Sequence, residues 1–158
     1  MQEKFEILRK KHPAFSFESF DIEEFSDKLL ISYHFKLVDE IDFRPRWEFA
    51  KKHKEINYAQ EEVFRGLVFN LGLVELISYW KCACSPLVQI KAGYINEEQI
   101  GWWKRQYFLG LGEFFHVNKI KTNIHDFMNI EVMAEAQVSS YNNTVFEKNG
   151  CLIPIGGG

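Results

Sequence analysis

The chain has 158 residues, enough for one domain that buries a real core. Hydrophobic residues make up 46% of it and aromatics 16%, with 15 Phe, which excludes an intrinsically disordered polypeptide. A formal net charge of −3 and a pI near 6.0 give no global electrostatic basis for binding nucleic acid.

A helical turn is predicted over the first ten residues, ending before Pro13 because a residue preceding proline is driven out of the helical region. This segment carries Arg9-Lys10-Lys11-His12. A second basic stretch holds Arg44, Arg46, Lys51, Lys52, His53 and Lys54. Acidic residues flank both, and both read as solvated faces. No continuous apolar run follows Met1, so a signal peptide is not expected, and the reading is cytoplasmic. Phe15, Phe17, Phe20 and Ile22 alternate with Ser, Glu and Asp at mostly period-two spacing and predict a strand. After the turn signal Ser26-Asp27, residues 29–37 read as a second strand. A third over residues 41–49 belongs at an edge, since Pro45 has no N–H for a ladder. Together these form an antiparallel meander with one apolar face.

Residues 58–81 switch to helical period, with Val63, Leu67, Leu71, Val74 and Ile77 three and four apart. Arg65, Asn70 and Glu75 interrupt the apolar run, so it reads as a buried helix rather than a membrane span. Gly66 and Gly72 cost about 1 kcal/mol each against Ala inside a helix, and predict close packing on a neighbour. Pro86 closes the next segment. Asn96 with Gln99 has the capping-box pattern, opening a helix through Trp102, Trp103 and Tyr107 toward Phe115, with Asn118 as its stop. A helical or mixed region is expected over residues 124–136. The Asn149-Gly150 pair then joins two short strands, the second leading into Gly156, Gly157 and Gly158. The class is α+β: residues 1–150 form one domain, and 151–158 are the first strand and glycine loop of a truncated ATP-binding domain.

Three places concentrate chemistry. Lys81, Cys82 and Cys84 lie at the end of the central helix. A Cys-x-Cys pair lacks the two further ligands of a zinc site, and no metal ligand is assigned. With an odd count of three and no secretory signal, the cysteines read as reduced thiols, each either a buried small apolar residue or a nucleophile. Glu113 and His116 lie three apart, on one face of a helix, as an acid–base pair or a surface contact. The adjacent Trp102 and Trp103 serve either the core or stacking on a substrate ring. Last, an apolar strand breaking into glycines allows backbone N–H groups to approach phosphate oxygens. Gly157 and Gly158 match the glycines of the PP-loop pyrophosphatase pattern, whose first Ser is replaced here by Gly156.

Taken together, residues 77–81 with Cys84-Ser85-Pro86, then Gly101-Trp102-Trp103, then residues 110–115, then 152–158, resemble the bacterial UDP-N-acetylmuramoyl-L-alanyl-L-glutamate epimerases. The resemblance covers roughly residue 60 to the end. It implies an enzyme that inverts the terminal glutamate of a peptidoglycan precursor, with ATP and Mg2+ as cofactors and a UDP-linked muramoyl dipeptide as partner. ATP use has a physical rationale, because an α-proton beside a carboxylate leaves a carbanion next to a full negative charge. An acyl-adenylate removes that charge, and the carbonyl can accept an enolate. Under the resemblance, Gly156, Gly157 and Gly158 begin the phosphate cradle. Lys81, Cys82, Cys84, Glu113 and His116 are catalytic candidates, and Trp102 and Trp103 are substrate contacts. The fragment alone is expected to be inactive, its nucleotide domain lying beyond it, with neither nucleic acid nor membrane as a partner. Two other readings stay open: another PP-loop adenylating enzyme, and a noncatalytic accessory or dimerisation domain.

Overall fold

The computed structural model describes residues 2–37 and 41–135. Helix α1 (Gln2–Lys11) leads into β1 (Ala14–Glu24), β2 (Lys28–Leu37), β3 (Ile41–Phe43) and β4 (Arg46–Ala50). The long helix α2 (Glu62–Trp80) follows, then β5 (Leu87–Ile90), α3 (Glu97–Gly110), α4 (Gly112–Val117) and β6 (Asn129–Val132). The six strands make one mixed sheet of order β3-β2-β1-β5-β6, with β4 also paired to β2. The chain is α+β.

The expected meander is present. The turn closes with the Phe25 N–H on the Lys28 carbonyl at 2.9 Å, and β1 and β2 pair antiparallel from Phe15↔Leu37 to Glu24↔Leu29. A register shift between Phe17 and Ser19 explains why the apolar spacing along β1 lengthens from two to three at Phe20. The expected third strand is broken. Arg44 and Pro45 separate β3, on Phe35 to Leu37, from β4, on Lys28 to Ser32. Pro45 still serves the sheet through its carbonyl, which accepts from the Tyr33 N–H at 3.0 Å.

Two strands are not in the sequence reading. β5 lies parallel to β1, and β6 parallel to β5. Parallel neighbours need a long crossover, and α3 with α4 supplies the one from β5 to β6. The region expected as helical or mixed at 124–136 therefore opens on a turn and yields the last strand of the described sheet. At four residues each, β5 and β6 are too short to display a period.

Helix α2 begins at Glu61, whose carboxylate accepts from the Val63 and Phe64 N–H groups at 3.3 and 2.5 Å. Its buried face is Val68, Phe69, Gly72, Leu73, Leu76 and Trp80. Of the stripe that suggested the helix, Val63, Leu67 and Val74 are exposed. A helix apolar nearly all round does not reveal its inner face by period. By length and composition α2 could cross a membrane; here it packs on β1 and β2. Gly72 is the point of closest approach, since a Cβ there would stand 2.5 Å from Phe17 Cζ and 2.8 Å from Tyr33 Cε1.

The capping box at α3 forms as expected. The Asn96 Oδ1 accepts from the Gln99 N–H, and the Gln99 Oε1 from the Asn96 N–H, each at 2.9 Å. The helix expected to continue to Phe115 instead breaks at Leu111 (φ −89°, ψ 5°), between Gly110 and Gly112. Neither glycine faces an atom within 4 Å of an added Cβ, so they weaken the helix rather than admit a neighbour. The hairpin expected over 144–155 lies outside the described residues.

The basic segment of α1 is not simply a solvated face. Arg9 is partly buried. Its Nη1 donates to the carbonyls of Cys84 (2.8 Å) and Phe127 (2.7 Å), and its Nη2 to that of Asp126 (3.1 Å). His12 is buried as well. In the second basic stretch, Lys51 is buried against Glu24, while Lys52, His53 and Lys54 are exposed.

Gly72→Ala should destabilise the fold by about 1–3 kcal/mol through overpacking on Phe17 and Tyr33. Gly101→Ala, in open space inside α3, should stabilise it by about 0.5–1 kcal/mol. Urea titration of both variants checks the pair, and a neutral Gly72→Ala would refute the close approach.

Candidate functional site

The last turns of α2 and the outer turns of α3 enclose a cleft of about 350 Å³. Val74, Ile77 and Lys81 enter it from α2, spaced so that they share one helical face. From α3 come Trp102, Trp103, Gln106 and Tyr107, again spaced three and four apart. The lining is largely apolar, with Lys81 its only charged side chain among the described residues.

The floor is rigid. Trp103 and Tyr107 are buried, with ring centroids 5.5 Å apart, and the Tyr107 hydroxyl donates to the Leu73 carbonyl of α2 at 2.6 Å. Burial pushes the Tyr107 phenol well above its ordinary pKa, so it stays protonated and keeps that bond. Trp102 stands edge-on to Trp103 at 4.9 Å and is 54% exposed, presenting an aromatic surface at the mouth. The Lys81 side chain is exposed and makes no hydrogen bond or ion pair among the described residues. It occupies the C-cap of α2, where the helix dipole favours a cation.

The structure thus brings Lys81, Trp102 and Trp103 together. The remaining candidates lie elsewhere. Cys82 is exposed and does not line the cleft. Cys84 is buried, with a positive φ of 54°, and its carbonyl is held by Arg9. Burial raises its thiol to about 11, the nearby Arg9 cation lowering it less, so the group is a neutral thiol at physiological pH. Next to it the Ser85 hydroxyl is fully buried and has no hydrogen-bond partner among the described residues. Glu113 and His116 lie on the exposed surface of α4, outside the cleft lining, with no ion pair between them. Gly156, Gly157 and Gly158 fall outside the described residues. Among those residues, no group of three or more His, Cys, Asp or Glu could hold a metal ion.

Sequence reasoning missed Arg9, Tyr107 and Gln106. Tyr107 was passed over as one more aromatic of α3, although three-and-four spacing from Trp103 already placed it on the same face.

A family model, the MurL N-terminal domain, matches residues 6–158. The chain belongs to that family. The match places this MurL N-terminal domain with the UDP-MurNAc-Ala-Glu epimerases of peptidoglycan synthesis. No curated protein and no solved structure gives a match to it.

The burial of Cys84 has a measurable consequence. Its folded pKa lies above its unfolded value near 9, so above pH 9 the unfolded chain releases a proton that the folded one retains. This group should therefore reduce stability as pH rises from 9 toward about 11. In iodoacetamide labelling read by peptide mass spectrometry, Cys82 should be modified in the native protein and Cys84 only after unfolding. Equal labelling of both in the native protein would refute the placement.

Proposed function

We propose that this chain is the N-terminal, substrate-binding part of an ATP-dependent epimerase. Its reaction is inversion of the terminal L-glutamate of UDP-N-acetylmuramoyl-L-alanyl-L-glutamate. The observation that carries the reading is the family match over nearly the whole chain. The chemistry of the α2–α3 cleft supports it. A substrate of this class carries carboxylates and a diphosphate, together with sugar and base rings. The Lys81 ammonium, without a hydrogen bond or ion pair among the described residues, and the exposed ring of Trp102 provide one group for each need.

In this reading the described residues bind and orient. Lys81 holds an anionic group of the substrate at the mouth, Trp102 stacks on a ring, and Trp103 with Tyr107 keeps that wall in place. ATP would supply activation of the carboxylate as an acyl-adenylate, with Gly156, Gly157 and Gly158 opening the phosphate cradle. Mg2+ would accompany the nucleotide phosphates, as a hard cation that phosphate oxygens and water bind well. A nucleotide-linked precursor and ATP together place the reaction in the cytoplasm.

The test is to incubate the full-length protein with UDP-N-acetylmuramoyl-L-alanyl-L-glutamate and ATP in heavy water. Deuterium should appear at the glutamate α-carbon, with AMP and pyrophosphate released. Trp102→Ala and Lys81→Ala, both at exposed positions, should raise KM while circular dichroism stays native. Absence of exchange in the wild-type protein would refute the activity. Exchange with unchanged KM in both variants would leave the activity standing and remove the cleft from it.

A further inference from the structure

A second cleft, of about 260 Å³, lies between β2, β4 and the N-terminal half of α2. Leu29 and Ile31 of β2 with Val68 of α2, all buried, form its floor. Phe49 and Leu67 form partly open walls. Leu67 is 63% exposed, although it faces a space lined almost wholly by carbon.

The basic side chains of the lining are consecutive in sequence. Lys52 and His53, both exposed, line the cleft, and among the described residues no Asp or Glu does. Lys51 is already committed to Glu24, whose other oxygen accepts from the Ala59 N–H at 3.1 Å. His53 has an exposed partner, Glu55, at 3.5 Å. Lys52 has no hydrogen bond or ion pair among the described residues, so its ammonium is available at the edge of an apolar hole. The Tyr58 ring contributes a further wall beside it, held edge-on to Phe64 at 5.1 Å.

We propose that this cleft binds a small amphipathic anion, with its apolar body on Leu29, Ile31 and Val68 and its anionic head at Lys52. The size sets the class. An apolar cavity of about 150 Å³ accommodates benzene, so this one has room for a ring with a short chain or an aliphatic chain of similar bulk. Sites for larger drug-sized ligands begin at about 300 Å³. The charge pattern selects an anion over a neutral or cationic amphiphile. The site is separate from the α2–α3 cleft and does not depend on the epimerase reading.

The probe is octanoate, with octan-1-ol as its uncharged counterpart, titrated into the full-length protein and followed by methyl NMR. Octanoate should give saturable shifts confined to the methyl groups that line the cleft, those of Leu29, Ile31, Ala50, Leu67, Val68 and Leu71. Lys52→Ala should weaken it by about two- to fivefold, the effect of losing a partly exposed ion pair. Leu67→Glu, at an exposed position that leaves the core intact, should abolish the shifts by adding an acid to the wall. Four results overturn the proposal: no saturable shift, shifts unchanged in Leu67→Glu, affinity unchanged in Lys52→Ala, or octan-1-ol binding as tightly as octanoate.

Discussion

Helix α2 can lie against β1 and β2 only because residue 72 has no side chain. At that point Phe17 and Tyr33 occupy the volume a Cβ would need. The approach lets Phe69 stack on Phe17, at 5.8 Å and 13° between rings, and places the Tyr33 hydroxyl within 2.9 Å of the Val68 carbonyl. A buried hydroxyl without a partner costs about 1–3 kcal/mol, so this bond constrains where the helix can sit. From the other side, the Tyr107 hydroxyl of α3 reaches the Leu73 carbonyl. One helix is thus fixed by a phenol from the sheet and a phenol from α3. Both clefts are bounded by α2, and both inherit their shape from that double constraint.

The end of α2 is held by a different device. Arg9 spans the carbonyls of Cys84, Asp126 and Phe127, joining α1 to the loop before β5 and to the turn before β6. A planar guanidinium with five donors can satisfy three acceptors in fixed directions, and a lysine ammonium could not match that geometry. Burial costs this cation something, and desolvation lowers its pKa ahead of the opposing attraction of Glu6. In return the loop carrying the left-handed Cys84 is fixed, and with it the point where Lys81 leaves the helix. The Trp80 indole adds a second tie, donating to the Ser85 carbonyl at 2.8 Å.

Much of the local structure was legible because it rests on local chemistry. The capping box at Asn96, the stop before Pro13 and the hairpin around Ser26-Asp27 each depend on a few consecutive residues. The inner face of α2 was not legible, since Val63, Leu67 and Val74 are as apolar as the residues that are buried, and only Gly72 marked the contact. Strands β5 and β6 were hidden for another reason: parallel pairing is long-range, and four residues carry little pattern. Arg9 was concealed by its setting in a charged run, where composition suggests solvent. Within the candidate site, Trp102 and Trp103 were visible as an exposed or buried pair. Their meeting with Lys81 depends on how α3 crosses α2, which no spacing along the chain encodes.

The arrangement also separates binding from proton transfer. Carbon-acid chemistry needs a group that can take a proton near neutral pH and another that can return it. Among the described residues, the titratable groups inside the α2–α3 cleft are Lys81 and Tyr107, and Tyr107 is held protonated with its hydroxyl committed to Leu73. The thiol of Cys84 is equally unsuited, being buried and neutral. Under the proposed epimerase reading, with Lys81 given to an anionic group of the substrate, the described cleft holds a substrate and offers no second group to deprotonate it. The acid and base must approach from outside its walls, either from exposed side chains such as Cys82, Glu113 and His116 or from residues beyond those described. A division of this kind has a physical advantage: a packed apolar wall orients the substrate, while the groups that move protons approach it from another side.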